Sequence, residues 1–414
     1  MTNAAGSSNT SSGEPAKVGD HARPTTLLPA RIPALDGLRG VAILLVLLHQ
    51  FNVLDPRAGL TARLQTAIVE PGWIGVQLFF VLSGFLITGI LLDAKGAPNF
   101  FGRFYRRRVQ RIFPLYYLVL AATFFLLPRA APAIAARTGV GHHHLWYWLY
   151  LQNWPGLGGD ADLLGHTWSL AVEEQYYLIW PLAVWTLSER GLGRLCLGVA
   201  AGAFLLRVGM RAAGVAPEVV YSFTLARADA LALGGLVALA LRRPDWRAAV
   251  ERHLPRAARW MVVTLAVVAV ASHIFARKQL VTQTVGYSVL AMAGALLIAG
   301  VMLNAPAASG GQAPGIGSRL LSVLNLPPLR AIGRVSYGMY LFHQPLHLFA
   351  IRVLLAGRLN ADGTTSHPLV AAAYLIVATA VLFALARLSW TLFERRFLGP
   401  SPREENWKRR LAKV

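Results

Sequence analysis

Charged residues, acidic residues and cysteine are all scarce in this chain of 414 residues. Only 14% of the residues are charged whereas 55% are hydrophobic, and the mean hydropathy is +0.48. Such a composition is too apolar for a soluble domain of ordinary makeup. The single cysteine, Cys196, excludes a disulfide within the chain and any metal site built from several cysteines. These absences predict a membrane protein.

The acidic deficit, 19 Asp and Glu against 40 Lys and Arg, gives a formal charge of +21. A strongly basic chain suggests nucleic acid as a partner, but here the arginines lie mainly in short segments between apolar blocks, where they orient membrane helices. We therefore expect no nucleic-acid binding. The basic segments alternate along the chain, which predicts a multi-pass membrane protein with both termini in the cytosol.

Apolar blocks of about 20 residues, the length that crosses the hydrocarbon core of a bilayer, recur along the chain. They predict an all-α fold, a polytopic membrane helix bundle of about ten transmembrane helices, and they argue against a sheet-rich fold. The predicted spans begin near Leu38, Gly72, Ile112, Trp168, Leu195, Tyr221, Trp260, Thr284, Arg334 and Pro368.

Composition also divides the chain into three parts. Residues 1–30 are rich in Ser, Thr, Gly and Asn and cannot bury enough apolar surface to order themselves, so we expect a disordered cytosolic tail. The first residues lack a basic segment followed closely by an apolar run, which argues against a cleavable signal. Residues 31–397 form the predicted membrane domain, and residues 398–414 form a basic cytosolic tail.

The first span carries two ionisable residues, Arg39 and His49. Ionisable side chains are costly within a membrane, so each is a candidate functional residue. At about 1.5 Å per residue, His49 lies about 15 Å beyond Arg39, near the middle of the bilayer if Arg39 marks its cytosolic edge. A histidine that is hydrogen-bonded to a neighbouring helix is the alternative interpretation.

The second and third spans carry a small-residue pair and a basic cluster. Ser83 and Gly84 lie between aromatic residues, a pattern that lets a ligand approach closely, although close helix packing explains it equally well. The cluster just before the third span contains Arg107, Arg108 and Arg111, which share helix faces and can clamp the phosphates of a nucleotide-bearing donor. Charges that orient the helix or contact anionic lipid are the alternative.

The fourth span opens with Trp168 and Ser169 and carries two adjacent carboxylates, Glu173 and Glu174. Buried carboxylates need partners or water, so simple packing does not account for them. Because neighbours on a helix point about 100° apart, we expect only one of the two to face the interior of the bundle. The sequence does not choose between them.

Two further groups of polar residues fall within predicted spans. Arg227 and Asp229 in the sixth span suggest an intramembrane ion pair, either structural or functional. Tyr337 and His343 in the ninth span add a buried tyrosine and a buried histidine. The triplet His142–His144 invites a metal interpretation. Adjacent histidines point in different directions, however, and no cysteine or HExxH spacing completes a site, so we expect no metal.

These blocks, in this order, resemble the acyltransferase family 3 membrane proteins, which include bacterial O-antigen acetyltransferases. The likeness covers about residues 31–397, and it is specific because four motifs occur in the same order. The motifs are Leu35-Asp36-Gly37-Leu38-Arg39-Gly40 with His49, Phe79-Phe80-Val81-Leu82-Ser83-Gly84-Phe85, Arg107-Arg108 with Arg111-Ile112 and Pro114, and Trp168-Ser169-Leu170 with Glu173-Glu174-Gln175. The resemblance implies a ten-helix acyltransferase domain in which Arg39 and His49 are needed for activity.

One departure from the family concerns the spacing of that pair. Family members commonly separate the arginine and the histidine by ten residues, whereas here nine intervene and Gln50 holds the usual place. Eleven helical steps return to within about 20° of the start, but ten leave His49 about 80° away from Arg39. The helix is therefore distorted, or His49 faces the site less directly.

The resemblance also implies a donor and its binding residues. Acyl-CoA, with acetyl-CoA as the expected form, would dock from the cytosol, and no tightly bound cofactor is expected. Its thioester would lie near Ser83 and Gly84. Its phosphates would contact Arg39, Arg107, Arg108 and Arg111.

The expected chemistry centres on His49, which would act as general base for the acceptor hydroxyl or would carry the acyl group itself. Glu173 or Glu174 would orient the histidine, and Tyr337 or Ser83 would donate to the oxyanion. The sequence shows no soluble esterase-like domain beside the membrane part. The expected acceptor is therefore a hydroxyl of a cell-surface glycan held at the membrane, such as a lipid-linked saccharide.

Two other classes of protein fit parts of the sequence. Buried His, Glu and Arg groups within ten spans also suit a proton-coupled transporter, although no paired, interrupted spans occur in matching halves. A non-catalytic membrane scaffold would not need Arg39, His49 and Glu173. Membrane lipids are partners under every interpretation.

Overall fold

The computed structural model describes residues 32–138, 144–157, 162–304, 316–360 and 362–398. The predicted tail of residues 1–30 lies outside these ranges, as does all of the predicted tail 398–414 except Leu398. Within the described ranges the chain is helical, and the one β-type pairing is an isolated bridge between Leu54 and Thr365. The predicted all-α class is confirmed.

The first half of the chain begins its helices at prolines or after short turns, as the fixed φ of proline favours. A 3₁₀ turn, Glu70–Trp73, joins the second helix to the third, and a π turn, Ala122–Leu126, follows the fourth. The helices are α1 Pro33–Gln50, α2 Leu60–Val69, α3 Ile74–Ala94, α4 Phe100–Ala121, α5 Leu127–Ala130, α6 Pro132–Thr138, α7 Leu145–Trp148 and α8 Trp168–Thr186.

The second half of the chain continues the same pattern of long helices and short connections. A π turn, Thr282–Gly286, opens the thirteenth helix, and another, Ala350–Leu354, follows the sixteenth. The helices are α9 Glu189–Ala212, α10 Pro217–Ser222, α11 Thr224–Ala240, α12 Pro244–Ala271, α13 Tyr287–Asn304, α14 Ile316–Leu324, α15 Pro327–Arg334, α16 Ser336–Phe349 and α17 Pro368–Leu392.

Eight helices in the described part of the chain are long and apolar enough to cross a membrane, where the sequence predicted about ten. The other two predicted spans correspond to α8 and α16, which are helical but do not meet both requirements. The hydropathy of α8 is lowered by Glu173, Glu174 and Gln175. Helix α16 has only 14 residues, fewer than the roughly 20 that span the hydrocarbon core. The polytopic helix bundle is confirmed.

The third predicted span differs in position from the helix that contains it. The sequence placed the basic cluster before a span starting near Ile112, but α4 begins at Phe100 and includes Arg107, Arg108 and Arg111. The helix continues through the cluster because no glycine or proline interrupts residues 103–113. The arginines are therefore held on a rigid helix.

Two close helix crossings position the centre of the bundle. A Cβ atom at Gly84 would collide with the carbonyl oxygen of Leu231, and one at Gly234 would collide with that of Val81, so α3 and α11 meet backbone to backbone. Gly40 of α1 approaches the backbone of Leu329 in α15 in the same way. Small residues permit such close crossings within membranes.

Polar residues collect at two opposite ends of the bundle, which we name after residues of α1. The Arg39 end contains the early turns of α1 and α4 and the last residues of α3 and α11. The His49 end contains the last turn of α1, the Glu70–Trp73 turn and the starts of α8, α11 and α13, which meet through aromatic contacts among Trp73, Trp168 and Tyr287 with their neighbours.

Candidate functional site

A cavity of about 920 Å³ enters the bundle from the Arg39 end and extends between α1, α3, α4, α8 and α16. Its apolar walls come mainly from α3, and Val76, Phe79 and Phe80 line it toward the His49 end. The polar lining residues are Asp36, Arg39, Ser83, Asp93, Arg108, Arg111, Ser169, Glu173, Tyr177, Arg242, Arg334, Ser336, Tyr337 and Tyr340. Seven residues predicted as site residues, six of them from the four motifs and Tyr337 from the ninth predicted span, thus line one cavity.

Five arginines give the mouth of this cavity its positive charge. Two are balanced by cavity carboxylates: Arg39 lies 3.6 Å from Asp36, and Arg242 donates to both oxygens of Asp93 at 3.0 Å. The others are Arg108, Arg111 and Arg334.

Arg108 is the most enclosed member of the predicted basic cluster. Its guanidinium lies over the rings of Phe104 and Tyr177, 5.8 Å and 5.7 Å from the ring centroids. Its Nε is buried and has no hydrogen-bond partner among the described residues. Arg107 is exposed and does not line the cavity. Adjacent arginines of one helix therefore occupy different environments.

Glu173 is the carboxylate that faces the cavity. It lies beside Ser83 and Tyr177, whose hydroxyls are hydrogen-bonded to each other, and within electrostatic range of Arg39. Glu174 does not line the cavity and instead faces a group of tyrosines that includes Tyr337. The rotation of about 100° between successive residues of α8 produces this difference.

Gly84 and Trp168 lie beside the cavity rather than in its lining. The backbone of Leu231 fills the space beside Gly84 where α3 crosses α11. Trp168 packs between Phe80 and Tyr221, with ring centroids 5.9 Å and 4.7 Å away. Both residues shape the wall of the cavity from behind.

His49 lies outside the cavity, in the last turn of α1 at the His49 end. Its Nδ1 is 3.5 Å from Oε2 of Glu70, and both side chains are partly exposed. Arg39 lines the cavity while His49 does not, as the angular offset between them predicts. The carboxylate beside the histidine is therefore Glu70, not Glu173 or Glu174 as expected.

The predicted ion pair between Arg227 and Asp229 is wrong. Asp229 pairs with the fully buried Arg207 of α9 at 2.8 Å, whereas Arg227 donates to Oε1 of Gln77 at 2.6 Å. Residues two apart on a helix point to different faces, so neighbours in sequence did not become partners in space. The Arg207–Asp229 pair joins α9 to α11, and Ser288 of α13 hydrogen-bonds to both side chains.

The polar residues of α16 form a network that reaches from the cavity wall into the bundle. The Tyr337 hydroxyl donates to the carbonyl of Ile112 at 2.8 Å, and Tyr340 shares a 2.6 Å hydrogen bond with Ser169. His343 is buried, with its ring 4.6 Å from that of His166 and its Nδ1 against the carbonyl of Tyr340. His343 does not line the cavity.

A metal site is not found in the described part of the chain, where no group of three or more His, Cys, Asp or Glu side chains is placed to hold an ion. The histidine triplet falls partly outside this part, since His142 and His143 are not described. His144 is described, and it accepts a hydrogen bond from the indole of Trp148 at 3.2 Å.

Sequence reasoning missed four polar residues of this region: Glu70, Asp93, Arg242 and Arg334. All four lie at or beyond the ends of helices, where charged residues ordinarily serve to orient spans. Glu70 follows α2 directly and is brought to His49 because Gly72 packs against the backbone of α1. The Glu70-Pro71-Gly72 segment could have indicated this contact from the sequence, because its glycine permits the close approach to α1.

Comparison with known proteins gives consistent matches. The acyltransferase domain family matches residues 32–387. The chain is 28% identical to the peptidoglycan O-acetyltransferase OatA of Listeria monocytogenes, in an alignment that covers 88% of the present chain. It is 30% identical to YrhL of Bacillus subtilis, whose name also refers to peptidoglycan O-acetyl transfer, over 76% of the present chain. It is 25% identical to the O-acetyltransferase OatA of Staphylococcus aureus over 80% of the present chain.

The chain spans about half the length of these curated relatives, covering 55%, 48% and 53% of them. No solved structure matches the chain.

Proposed function

Because the chain belongs to the acyltransferase domain family, acyltransferase family 3, we propose that it is a membrane O-acyltransferase. In this proposal an acyl group, with acetyl as the expected one, passes from cytosolic acyl-CoA to a hydroxyl of a cell-envelope glycan. The names of all three relatives refer to O-acetyl transfer, which supports the acetyl group. Two of the names refer to peptidoglycan, which supports a glycan acceptor.

The observation that carries the proposal is the polarity of the cavity along its length. Arginines surround its mouth, and a carboxylate and hydroxyls, Glu173 with Ser83 and Tyr177, lie deeper between apolar walls. A volume of about 920 Å³ falls within the range of sites for sizeable ligands. Acyl-CoA has the same order of features: phosphates at one end, an uncharged arm, and a thioester at the other.

The arginines proposed to contact the phosphates of acyl-CoA are Arg108, Arg111 and Arg334. They have no carboxylate within ion-pair distance among the described residues. The partnerless Nε of Arg108 is a buried donor that an anionic oxygen would satisfy. Arg39 and Arg242 are already paired with aspartates, so they would shape the site and moderate its charge. Arg107 has no part in donor binding under this proposal.

The chemistry is attack of an acceptor hydroxyl on the thioester carbon. The new C–O bond forms as the C–S bond breaks, the hydroxyl proton passes to a base, and CoA leaves as the thiolate. His49 with Glu70 serves as that base, or carries the acyl group before final transfer. The Ser83 hydroxyl, hydrogen-bonded to Tyr177, lies about 14 Å along α3 from its start at the His49 end, too far to donate to the oxyanion of a step at His49. It would line the path of the donor arm, while the thioester lies beyond it toward Val76.

Tyr337 is not suited to donate to the oxyanion, because its hydroxyl already donates to the carbonyl of Ile112. The Arg39 end then faces the cytosol, where acyl-CoA is made, and the His49 end faces the opposite side of the bacterial inner membrane. Both termini are cytosolic in this arrangement. Membership of an acyltransferase family favours this function over a proton-coupled carrier.

The experiment is transfer of label from acetyl-CoA, radiolabelled in the acetyl group, by the purified chain in lipid nanodiscs with a glycan acceptor. We expect labelled glycan with the wild type and none with His49→Ala. The matched control is His253→Ala, which changes an exposed histidine of α12. Transfer that persists in His49→Ala removes His49 from catalysis, and a wild type that neither hydrolyses nor transfers the donor contradicts the function.

A further inference from the structure

Four aromatic residues surround two arginines at the His49 end. We name this group the aromatic–arginine cluster; its members are Trp73, Trp168, Tyr221, Tyr287, Arg227 and Arg277. The Tyr221 ring lies between the two cations, with Arg227 5.2 Å and Arg277 4.8 Å from its centroid. The cluster lies outside the cavity assigned to the donor, although Phe80 contacts both.

Arg227 forms the inner side of the cluster and is fully buried. Its guanidinium lies 4.0 Å from the centroid of Tyr287 and donates one hydrogen bond, to Gln77. Its Nε and Nη1 have no hydrogen-bond partner among the described residues, and no carboxylate there lies within ion-pair distance. A buried cation with unused donors is costly, so its retention indicates a role beyond packing.

Arg277 forms the outer side of the cluster and is partly exposed. It has no ion-pair partner within 4 Å among the described residues, whereas its neighbour Lys278 is paired with Glu218 at 2.7 Å. The sequence therefore places two adjacent cations on one turn, and the structure neutralises only one of them. The free charge of Arg277 is held over Tyr221.

The cluster adjoins the histidine proposed for catalysis. Gly72 packs against the backbone of His49, and Trp73 follows directly, with its indole donating to the carbonyl of Phe275 at 3.1 Å. Arg277 comes two residues later and acts electrostatically on His49. A ligand bound to Arg277 would therefore lie at the same end of the bundle as His49 and Glu70, within electrostatic range of the histidine.

We propose that the aromatic–arginine cluster is the acceptor site and that it selects an anionic saccharide. The carboxylate or phosphate of the acceptor pairs with the partly exposed Arg277, while the buried rings of Trp73, Tyr221 and Tyr287 hold the two arginines in place behind it. Arg227 adds positive potential from behind Tyr221. This inference rests on the proposed function, since the bound saccharide would present its hydroxyl to His49.

The test measures binding without requiring transfer. Three probes are titrated into the purified full chain in nanodiscs by calorimetry: methyl β-glucuronide, glucose 1-phosphate and the neutral methyl β-glucoside. The variants are Arg277→Gln, the matched neighbour Lys278→Gln, and Arg277→Lys, which keeps the charge. Circular dichroism and the unfolding temperature establish that each variant is folded.

We expect the wild type to bind at least one anionic probe about tenfold more tightly than the neutral probe, the gain of a charge-assisted hydrogen bond. Arg277→Gln should remove this preference, while Lys278→Gln keeps it and Arg277→Lys keeps most of it. Comparison of the two anionic probes tells whether a carboxylate or a phosphate is preferred.

Equal binding of all three probes to the wild type overturns the inference. So does a preference that survives in Arg277→Gln or that disappears in Lys278→Gln. If anionic saccharides bind through Arg277 but no label moves from acetyl-CoA, the acceptor site stands and the proposed function fails.

Discussion

Nδ1 of His49 and Oε2 of Glu70 lie 3.5 Å apart where α1 ends and the Glu70–Trp73 turn crosses it. A carboxylate in this position orients an imidazole and stabilises its protonated form, as in hydrolase triads. The partner comes from a turn between two helices, so the pair depends on the packing of Gly72 against α1.

Glu70→Gln should lower the turnover number for transfer about tenfold and leave the KM for acyl-CoA unchanged, because Glu70 acts through His49 and is far from the donor cavity. Glu70→Asp should restore part of the activity. Steady-state kinetics with labelled donor measures both constants. Glu218→Gln, which alters another carboxylate at the same end, is the control; an equal loss there would show that surface charge, not orientation of His49, is responsible.

Arg108→Ala should raise the KM for acyl-CoA about tenfold or more, since it removes a charge-assisted contact to phosphate. Arg107→Ala should change it less than about twofold, because Arg107 is exposed beside the cavity. Both variants remove one arginine from α4, so net charge is matched. Equal effects of the two would contradict a specific phosphate contact for Arg108.

Glu173→Gln should reduce turnover about 100-fold, because the carboxylate that lies beside Ser83 in the cavity is neutralised. Glu174→Gln should have a much smaller effect, as Glu174 does not line the cavity. Single-turnover measurements with saturating donor separate chemistry from binding. A greater loss in Glu174→Gln would reverse this assignment.

Gly84→Ala and Gly234→Ala should each destabilise the fold by about 1–3 kcal/mol, because a methyl group must force apart the backbones of α3 and α11. Gly202→Ala on α9, where nothing lies within 4 Å, should be neutral or slightly stabilising. Thermal unfolding in detergent compares the three. A stable Gly84→Ala protein that has lost donor binding would instead place Gly84 in the donor site.

Asp229→Asn should destabilise the protein by about 3–5 kcal/mol, since it leaves Arg207 charged and fully buried without its partner. Asp245→Asn should have little effect, because the Asp245–Arg243 pair lies at the surface. Unfolding temperatures of the two variants provide the comparison. If Asp229→Asn unfolds like the wild type, the buried pair does not hold α9 to α11.

The fold followed from the sequence wherever apolar blocks were long. Helix α9 contains its predicted start, α13 begins within a few residues of its predicted start, and α17 begins at it. This agreement arises because the thickness of the hydrocarbon core imposes the length of a span. Helices α8 and α16 mark the limit of this reasoning. Their polar residues are satisfied by hydrogen bonds to other helices, such as Tyr177 to Ser83 and Tyr340 to Ser169, which hydropathy along one segment does not register.

The candidate site was predictable in its membrane-embedded part and not at its ends. Arg39, Ser83 and Glu173 stand out because polar groups within spans need a reason, and the structure collects them around one cavity. Glu70 and Arg242 lie at helix ends, where charge is ordinary. Their roles depend on which loop lies against which helix, and that is tertiary information.

The inner part of the cavity bears on the leak of ions across the membrane. Phe80 lines the inner part of the cavity, and the guanidinium of Arg227 lies 5.8 Å from the centroid of that ring. Under the proposed function, a proton or sodium ion that followed an acyl group inward would meet this positive charge in a region of low dielectric, as cations do at the arginine of a water channel. The charge would therefore lower the leak of cations through a deep opening in an energised membrane.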